Sequence, residues 1–252
     1  MSQFSILLKK DLMELVRTKR LLIIAIIFVV FALSSPLIAK LTPELLKMLE
    51  DTIQIIAPEA TIVDSYAQFA KNVSQICLYG LIAVFGGLIV AERRSGMYNN
   101  LLNNGVKKAN FVLSKVTAQL LVMTGVYVVS CLLFCVYNQV LFGEFWPYDS
   151  LLSFTALFVF LVFMVCLINL FSVVSKSVMM AIIFGFLATI VIALPDLFTW
   201  GKYLPNHLVS ISILAFGDPV AIDYAWKTIV IALGLSAVVT SASVMLCKSK
   251  DK

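Results

Sequence analysis

Six long apolar runs, parted by polar stretches, account for most of this chain of 252 residues. They cover residues 21–39, 73–91, 116–142, 151–174, 178–194 and 228–247. A helix needs about 20 mostly apolar residues to cross about 30 Å of hydrocarbon, and each run meets or approaches that length. Residues 151–194 would merge into one run but for Ser175-Lys176-Ser177, which puts a charge and turn formers between two segments. The pattern predicts an all-α, polytopic membrane protein. Its six transmembrane helices form one transmembrane domain over residues 1–252.

Amphipathic stretches lie between the runs. In the lead, Phe4, Leu8, Leu12 and Leu15 recur at three- and four-residue spacing, with Lys9, Lys10, Glu14 and Arg17 on other faces. That spacing predicts an interfacial helix over residues 1–20, its lysines near anionic headgroups. Asp11 and Glu14 precede an apolar core longer than a signal sequence carries, so the first run is expected to stay as a span. Ser34-Ser35-Pro36 marks either a kink or the end of that span. Thr42-Pro43-Glu44 then reads as an N-cap with proline at the first helical position. Leu45, Leu46, Leu49, Ile53 and Ile56 would line one face of the short surface helix that follows. Residues 204–216 form a half-length apolar run between Pro205 and Gly217-Asp218-Pro219. Too short to cross, it predicts a re-entrant or interfacial helical segment before the last span.

Composition agrees with the pattern. Apolar residues make up 61% of the chain and charged residues 13%, where a soluble domain carries about 25% charged. A net charge of +5 would suggest nucleic acid in a soluble protein. Here the placement of charge matters more, and no nucleic-acid partner is expected. Of the 19 lysines and arginines, fourteen fall on the side of the N-terminus and five on the other. That bias puts both termini in the cytoplasm.

Several kinds of chemistry are missing. None of the six runs contains Asp, Glu, Lys or Arg, which argues against ion-coupled transport, proton conduction and intramembrane catalysis. No G-x-x-x-x-G-K-[ST] sequence is present to cradle a nucleotide phosphate. The five cysteines (Cys77, Cys131, Cys135, Cys166, Cys247) lie in or beside apolar runs without C-x-x-C spacing, and His207 is the lone histidine. Packing cysteines and a polar loop histidine are expected, with no catalytic, metal or cofactor-binding residue. Ala83, Gly87 and Ala91, and again Ala232, Ser236 and Thr240, make small-residue stripes. Such stripes serve either packing inside the bundle or a subunit contact.

One inner connection, residues 92–115, is long enough to project. It contains Glu92-Arg93-Arg94-Ser95-Gly96, the pair Leu101-Leu102, then Lys107-Lys108 and the segment from Phe111 to Lys115. This order resembles the loop after the second span in the type-2 permease family of bacterial ATP-binding-cassette exporters. That family's pattern runs E-x-x-x-G-T, Leu-Leu, Pro-Val-x-Arg, then a Lys leading the third span. Here Met97 replaces the threonine, Gly105 the proline and Lys108 the arginine. The resemblance implies that Glu92, Arg93, Gly96, Leu101, Leu102, Lys107 and Lys108 form a coupling loop against a separate ATPase subunit. It implies that Phe4, Leu8, Leu12 and Leu15 belong to an elbow helix. It also implies ATP and Mg in that partner subunit, none in this chain, and a second permease, identical or related. The setting would be the bacterial inner membrane. Among such permeases an amphipathic cargo, most often peptide, fits spans free of charge; lipid, drug or polysaccharide are alternatives. A membrane immunity or assembly protein that transports nothing is the rival reading, in which Glu92 and Arg93 merely reach the lipid interface.

Overall fold

The computed structural model describes residues 2–48, 60–143, 150–194, 203–214 and 220–249, and every regular element among them is a helix. Helix α1 (Gln3–Arg17) starts at Ser2, whose hydroxyl accepts the Ser5 amide. Lys19, at φ 59°, turns the chain into α2 (Arg20–Met48). A long broken helix follows: α3 (Ile62–Asn72), a π-helical turn (Val73–Cys77), α4 (Leu78–Phe85) and α5 (Leu88–Arg94). Then come α6 (Met97–Asn103), α7 (Lys108–Phe142), α8 (Ser150–Val174), α9 (Val178–Ala193), α10 (His207–Leu214) and α11 (Val220–Ser249).

Among the described residues, five helical stretches are long and apolar enough to cross a membrane: Arg20–Glu44, Ile62–Arg94, Lys108–Phe142, Leu151–Val174 and Tyr224–Cys247. They carry five of the six expected runs. The remaining run forms α9, which at 16 residues spans only about 24 Å at 1.5 Å per residue.

Two expectations about segment ends need correction. Thr42 caps no new helix. α2 runs through both Pro36 and Pro43, and the Thr42 hydroxyl donates to the Ile38 carbonyl at 2.7 Å. Likewise Ser35 donates to the Phe31 carbonyl at 2.5 Å and accepts from Asn72 at 2.9 Å. In each case the hydroxyl one residue before a proline bonds the carbonyl four residues back, an arrangement that bends a helix without ending it. Of the predicted surface helix, residues 49–59 lie outside the described residues, as do the side chains of Leu45 and Leu46. The second correction is at the inner connection. The third span's helix begins at Lys108 rather than at residue 116, and α5 runs on to Arg94, so most of residues 92–115 is helical.

α8 lies at the centre, packed against α11, α10, α9, α7 and α4, while α2 packs on α7 and α3. Phe69 stacks on Phe134 at 4.3 Å between ring centroids, and Tyr66 meets Phe134 edge-on at 4.8 Å. Phe28, Phe85, Tyr127, Phe134, Phe160 and Phe163 are all buried, so these aromatics pack the bundle. Deep inside, Gln119 and Asn169 exchange amide hydrogen bonds at 3.1 and 2.7 Å. That pairing satisfies two groups that would be costly alone in an apolar setting.

The small-residue stripe in the second span has a specific use. Gly86-Gly87 interrupts the helix, and the freed amides of Ile89 and Val90 donate to the Ser172 hydroxyl of α8 at 3.2 and 3.3 Å. α9 approaches at the same place. A Cβ on Gly87 would fall 2.4 Å from a Val178 methyl, and one on Gly185 would fall 2.7 Å from Ile82. This stripe serves packing within the chain. The short run before the last span becomes α10, whose Leu208 and Ile211 are fully buried against α8, α3 and α11.

Candidate functional site

The one dense group of charges among the described residues lies where α1, α5 and α7 meet. α1 buries Leu7, Asp11 and Leu15, every fourth residue, so a carboxylate sits in the middle of its inward face. Opposite stand Glu92, from the last turns of α5, and Lys115, from the early turns of α7. Asp11, Glu92 and Lys115 keep only 4%, 5% and 3% of their surface.

Lys115 Nζ is the hub. It lies 3.1 Å from Asp11 Oδ1, 3.1 Å from Glu92 Oε1 and 3.7 Å from Glu14 Oε2. Lys10 reaches Glu92 at 2.5 Å and Asp11 at 3.4 Å, and Arg20 reaches Glu14 at 3.4 Å. The Ser114 hydroxyl donates to Asp11 Oδ2 at 2.6 Å. Three carboxylates thus face three cations, and the charges balance. Burial works to lower the Lys10 pKa, but the Glu92, Asp11 and Glu14 carboxylates outweigh it and raise it above 10.5.

Oxygens of Asp11, Glu14 and Glu92 lie within 4.8 Å of one another, close enough to ligate a metal ion. The ammonium of Lys115 already stands at their centre, so a cation would have to expel it. The cluster acts as a clamp instead. A buried ion group of this kind adds little net stability over apolar packing, but it fixes register and is costly to break.

The clamp leads directly into α6. Past Arg94, Gly96 takes φ 78°, a left-handed conformation that favours glycine, and starts α6. Gly105, also at φ 78°, ends it. The amides of Gly105 and Val106 return to the carbonyls of Leu102 and Leu101 at 2.9 and 3.1 Å, a Schellman closure. That explains glycine where the resembled pattern has proline, because a proline lacks the amide. The Gly105 carbonyl accepts from Gln3 at 3.2 Å, which ties the far end of this hairpin to the start of α1.

The predicted residues scatter around this frame. Glu92 is in the clamp. Arg93 donates to the Val173 carbonyl at the end of α8, 2.8 Å away. Leu101 and Leu102 are half-buried against a small core of Ile89, Tyr98, Phe111 and their neighbours. Lys107 is the extended residue before α7, and Lys108 is its first residue. On α1, Leu15 is buried while Phe4, Leu8 and Leu12 are half-buried, so the inward face is rotated from the predicted one. Asp11 was missed, and Lys115 entered only as the lysine leading the third span. The signal for Asp11 was an acid within the apolar stripe Leu7, Asp11, Leu15.

Membrane-length helices packed into one bundle, with a charge-clamped end and no phosphate-binding sequence, describe a multi-pass membrane component. The sequence pattern of the family described as ABC-2 family transporter protein matches residues 12–192, well over half of the chain. The chain belongs to that family. It is therefore a transmembrane component of an ATP-binding-cassette transporter, and ATP hydrolysis resides in a separate subunit. Comparison with curated proteins gives no match.

Proposed function

We propose that this chain is the permease half of an exporter, coupled to its ATPase through α6 and the clamp beneath it. The observation that carries this reading is the burial of Asp11, Glu92 and Lys115 between three elements. A push on α6 is transmitted through rigid, charge-locked contacts to α1 and α7 instead of being absorbed in a loose loop. In this reading α1 is the elbow helix and residues 92–108 form the coupling loop. α9 is a sixth, short span, and α10 is a re-entrant segment. Both termini face the cytoplasm of a bacterium, and two permeases pair with two ATPases.

The cargo reading is amphipathic peptide. Two grooves, of ≈ 530 and ≈ 610 Å³, flank the π-helical turn and share Ser74, Gln75 and Val209. Their linings are mostly apolar and neutral polar, with Asp64 and Lys71 in the larger groove, which suits a molecule of mixed character.

The coupling test is Leu101→Pro, which breaks α6 at its middle at a cost of about 3 kcal/mol or more. Transport by the permease–ATPase complex should be lost while ATP hydrolysis by the ATPase persists. Unchanged transport in a stably inserted variant would remove α6 from the mechanism. Deleting the gene should raise peptide sensitivity and intracellular peptide. A surface glycan or lipid lost instead would replace the peptide cargo, and failure to co-purify with an ATPase whose activity responds to this chain would favour an immunity or assembly role.

A further inference from the structure

The same end of the bundle holds a basic feature separate from the charge-balanced clamp. A cavity of ≈ 420 Å³ opens between α5, the start of α6 and the turn from α8 to α9. Arg93, Arg94 and Lys176 line it with Tyr98, Asn99 and Ser175, and no carboxylate is among its lining residues. Arg93 is fixed in place by the Val173 carbonyl at 2.8 Å and the Tyr98 ring at 6.0 Å. Arg94 and Lys176 are exposed. Ser175 is 2% exposed, and its hydroxyl has no hydrogen-bond partner. Burying a donor unpaired is unfavourable, so an acceptor arriving in the cavity would relieve it. α9 also begins here, at Ser177, and presents the positive end of a 16-residue helix.

The depth of the cavity narrows the choice of anion. The α8–α9 turn is only Ser175-Lys176-Ser177, and it joins two apolar helices. Such a turn lies at headgroup level in a bilayer. Directly beside it, Met179, Ile183, Leu187 and Ile190 are exposed at intervals of three and four, an apolar strip along α9. Cations, a free hydroxyl and an adjoining apolar strip together match an amphiphile with an anionic head.

We propose that this cavity binds the phosphodiester headgroup of an anionic phospholipid, with its acyl chains lying along α9. The site stands on the cavity itself, and only the identity of the leaflet rests on the orientation given above. Arg94 and Lys176 supply exposed charge, Arg93 a fixed guanidinium and Ser175 the hydroxyl donor.

The test is native mass spectrometry of the full-length chain, purified with phosphatidylglycerol and phosphatidylcholine of matched acyl chains. The chain should retain one phosphatidylglycerol in preference to phosphatidylcholine. Arg94→Gln and Lys176→Gln, both at exposed positions, should each weaken that retention about fivefold. Lys9→Gln removes an equal charge from the exposed side of α1 and should change nothing. Excess inorganic phosphate should not displace the lipid. Equal retention of both lipids by the unmodified chain, or retention unaffected by both variants, would overturn the proposal. So would displacement by inorganic phosphate, which would make this a soluble-anion site. Loss of ATPase-subunit binding in the two variants, with lipid retention intact, would assign the cavity to that subunit instead.

Discussion

Lys115→Met tests the clamp most directly. The substitution keeps an unbranched side chain and deletes only the ammonium, whose three carboxylate neighbours lie at 3.1, 3.1 and 3.7 Å. Asp11 and Glu92 would remain buried, with Lys10 as the principal cation still facing them. Removing one partner from a buried ion group costs about 3–5 kcal/mol. Lys10 is already within 3.4 Å of Asp11 and is about one-third exposed, so it can shift to compensate. The lower end, about 3 kcal/mol, is therefore expected. Glu92→Gln in the same background removes one of the uncompensated charges. The double variant should lose at least about 1 kcal/mol less than the two single losses added together, as coupled neighbours do. Unfolding by sodium dodecyl sulfate in mixed micelles, followed by circular dichroism, reads all four proteins. If Lys115→Met unfolds within about 0.5 kcal/mol of the unmodified chain, or the two losses simply add, the three helices are not locked through this lysine.

Gly87→Ala should destabilise the bundle by about 1–3 kcal/mol, because the new methyl would lie 2.4 Å from Val178; the same micelle titration measures it. With both termini cytoplasmic, a cysteine at Asp64 in a cysteine-free chain should react with an impermeant thiol reagent on intact cells. One at Asn103 should react only after permeabilisation; both positions are exposed. The raised Lys10 pKa sets a pH window. A lysine whose folded pKa lies above its unfolded value contributes fully below the unfolded value and loses that contribution as pH rises through the folded one. While the carboxylates stay ionised, the stability gap between the unmodified chain and Lys10→Met should therefore be constant from neutral pH up to 10.5 and shrink above it. A gap that widened with alkali would contradict the clamp.

The spans were legible because lipid demands long unbroken apolar runs, and nothing else in the chain competes with that signal. Helix ends were not. Thr42-Pro43-Glu44 has the residues of a helix start, yet α2 was already formed and the hydroxyl turned back to Ile38. A cap signal states a local preference, and a helix in progress overrides it. Lys108 to Lys115 read as loop because it is polar, but Phe111, Val112 and Ser114 are buried against neighbouring helices and carry α7 through it. The clamp was hidden for a different reason. Its acids lie on α1 and α5 and its hub lies 104 residues from Asp11, so no local pattern joins them. Glu92 and Gly96, the glycine that starts α6, were visible because the resembled pattern concentrates them in one short segment.

The π-helical turn at Val73–Cys77 divides the second span into two helices of different phase. Phe69, Val73, Cys77, Leu81 and Phe85 all point inward at intervals of four. An unbroken α-helix drifts about 40° over each such interval, so one wide turn is what keeps both ends facing the core. Deleting a single residue there would restore an ordinary turn and rotate Ile62–Asn72 by about 100°. Ser65 would swing away from Asn138, and Asn72 from Ser35, while the glycine contact with α9 stayed in place. The N-terminal third of this span is thus a separate dial. One-residue insertions or deletions could re-aim its polar side chains toward the grooves while the clamp at the other end kept its setting.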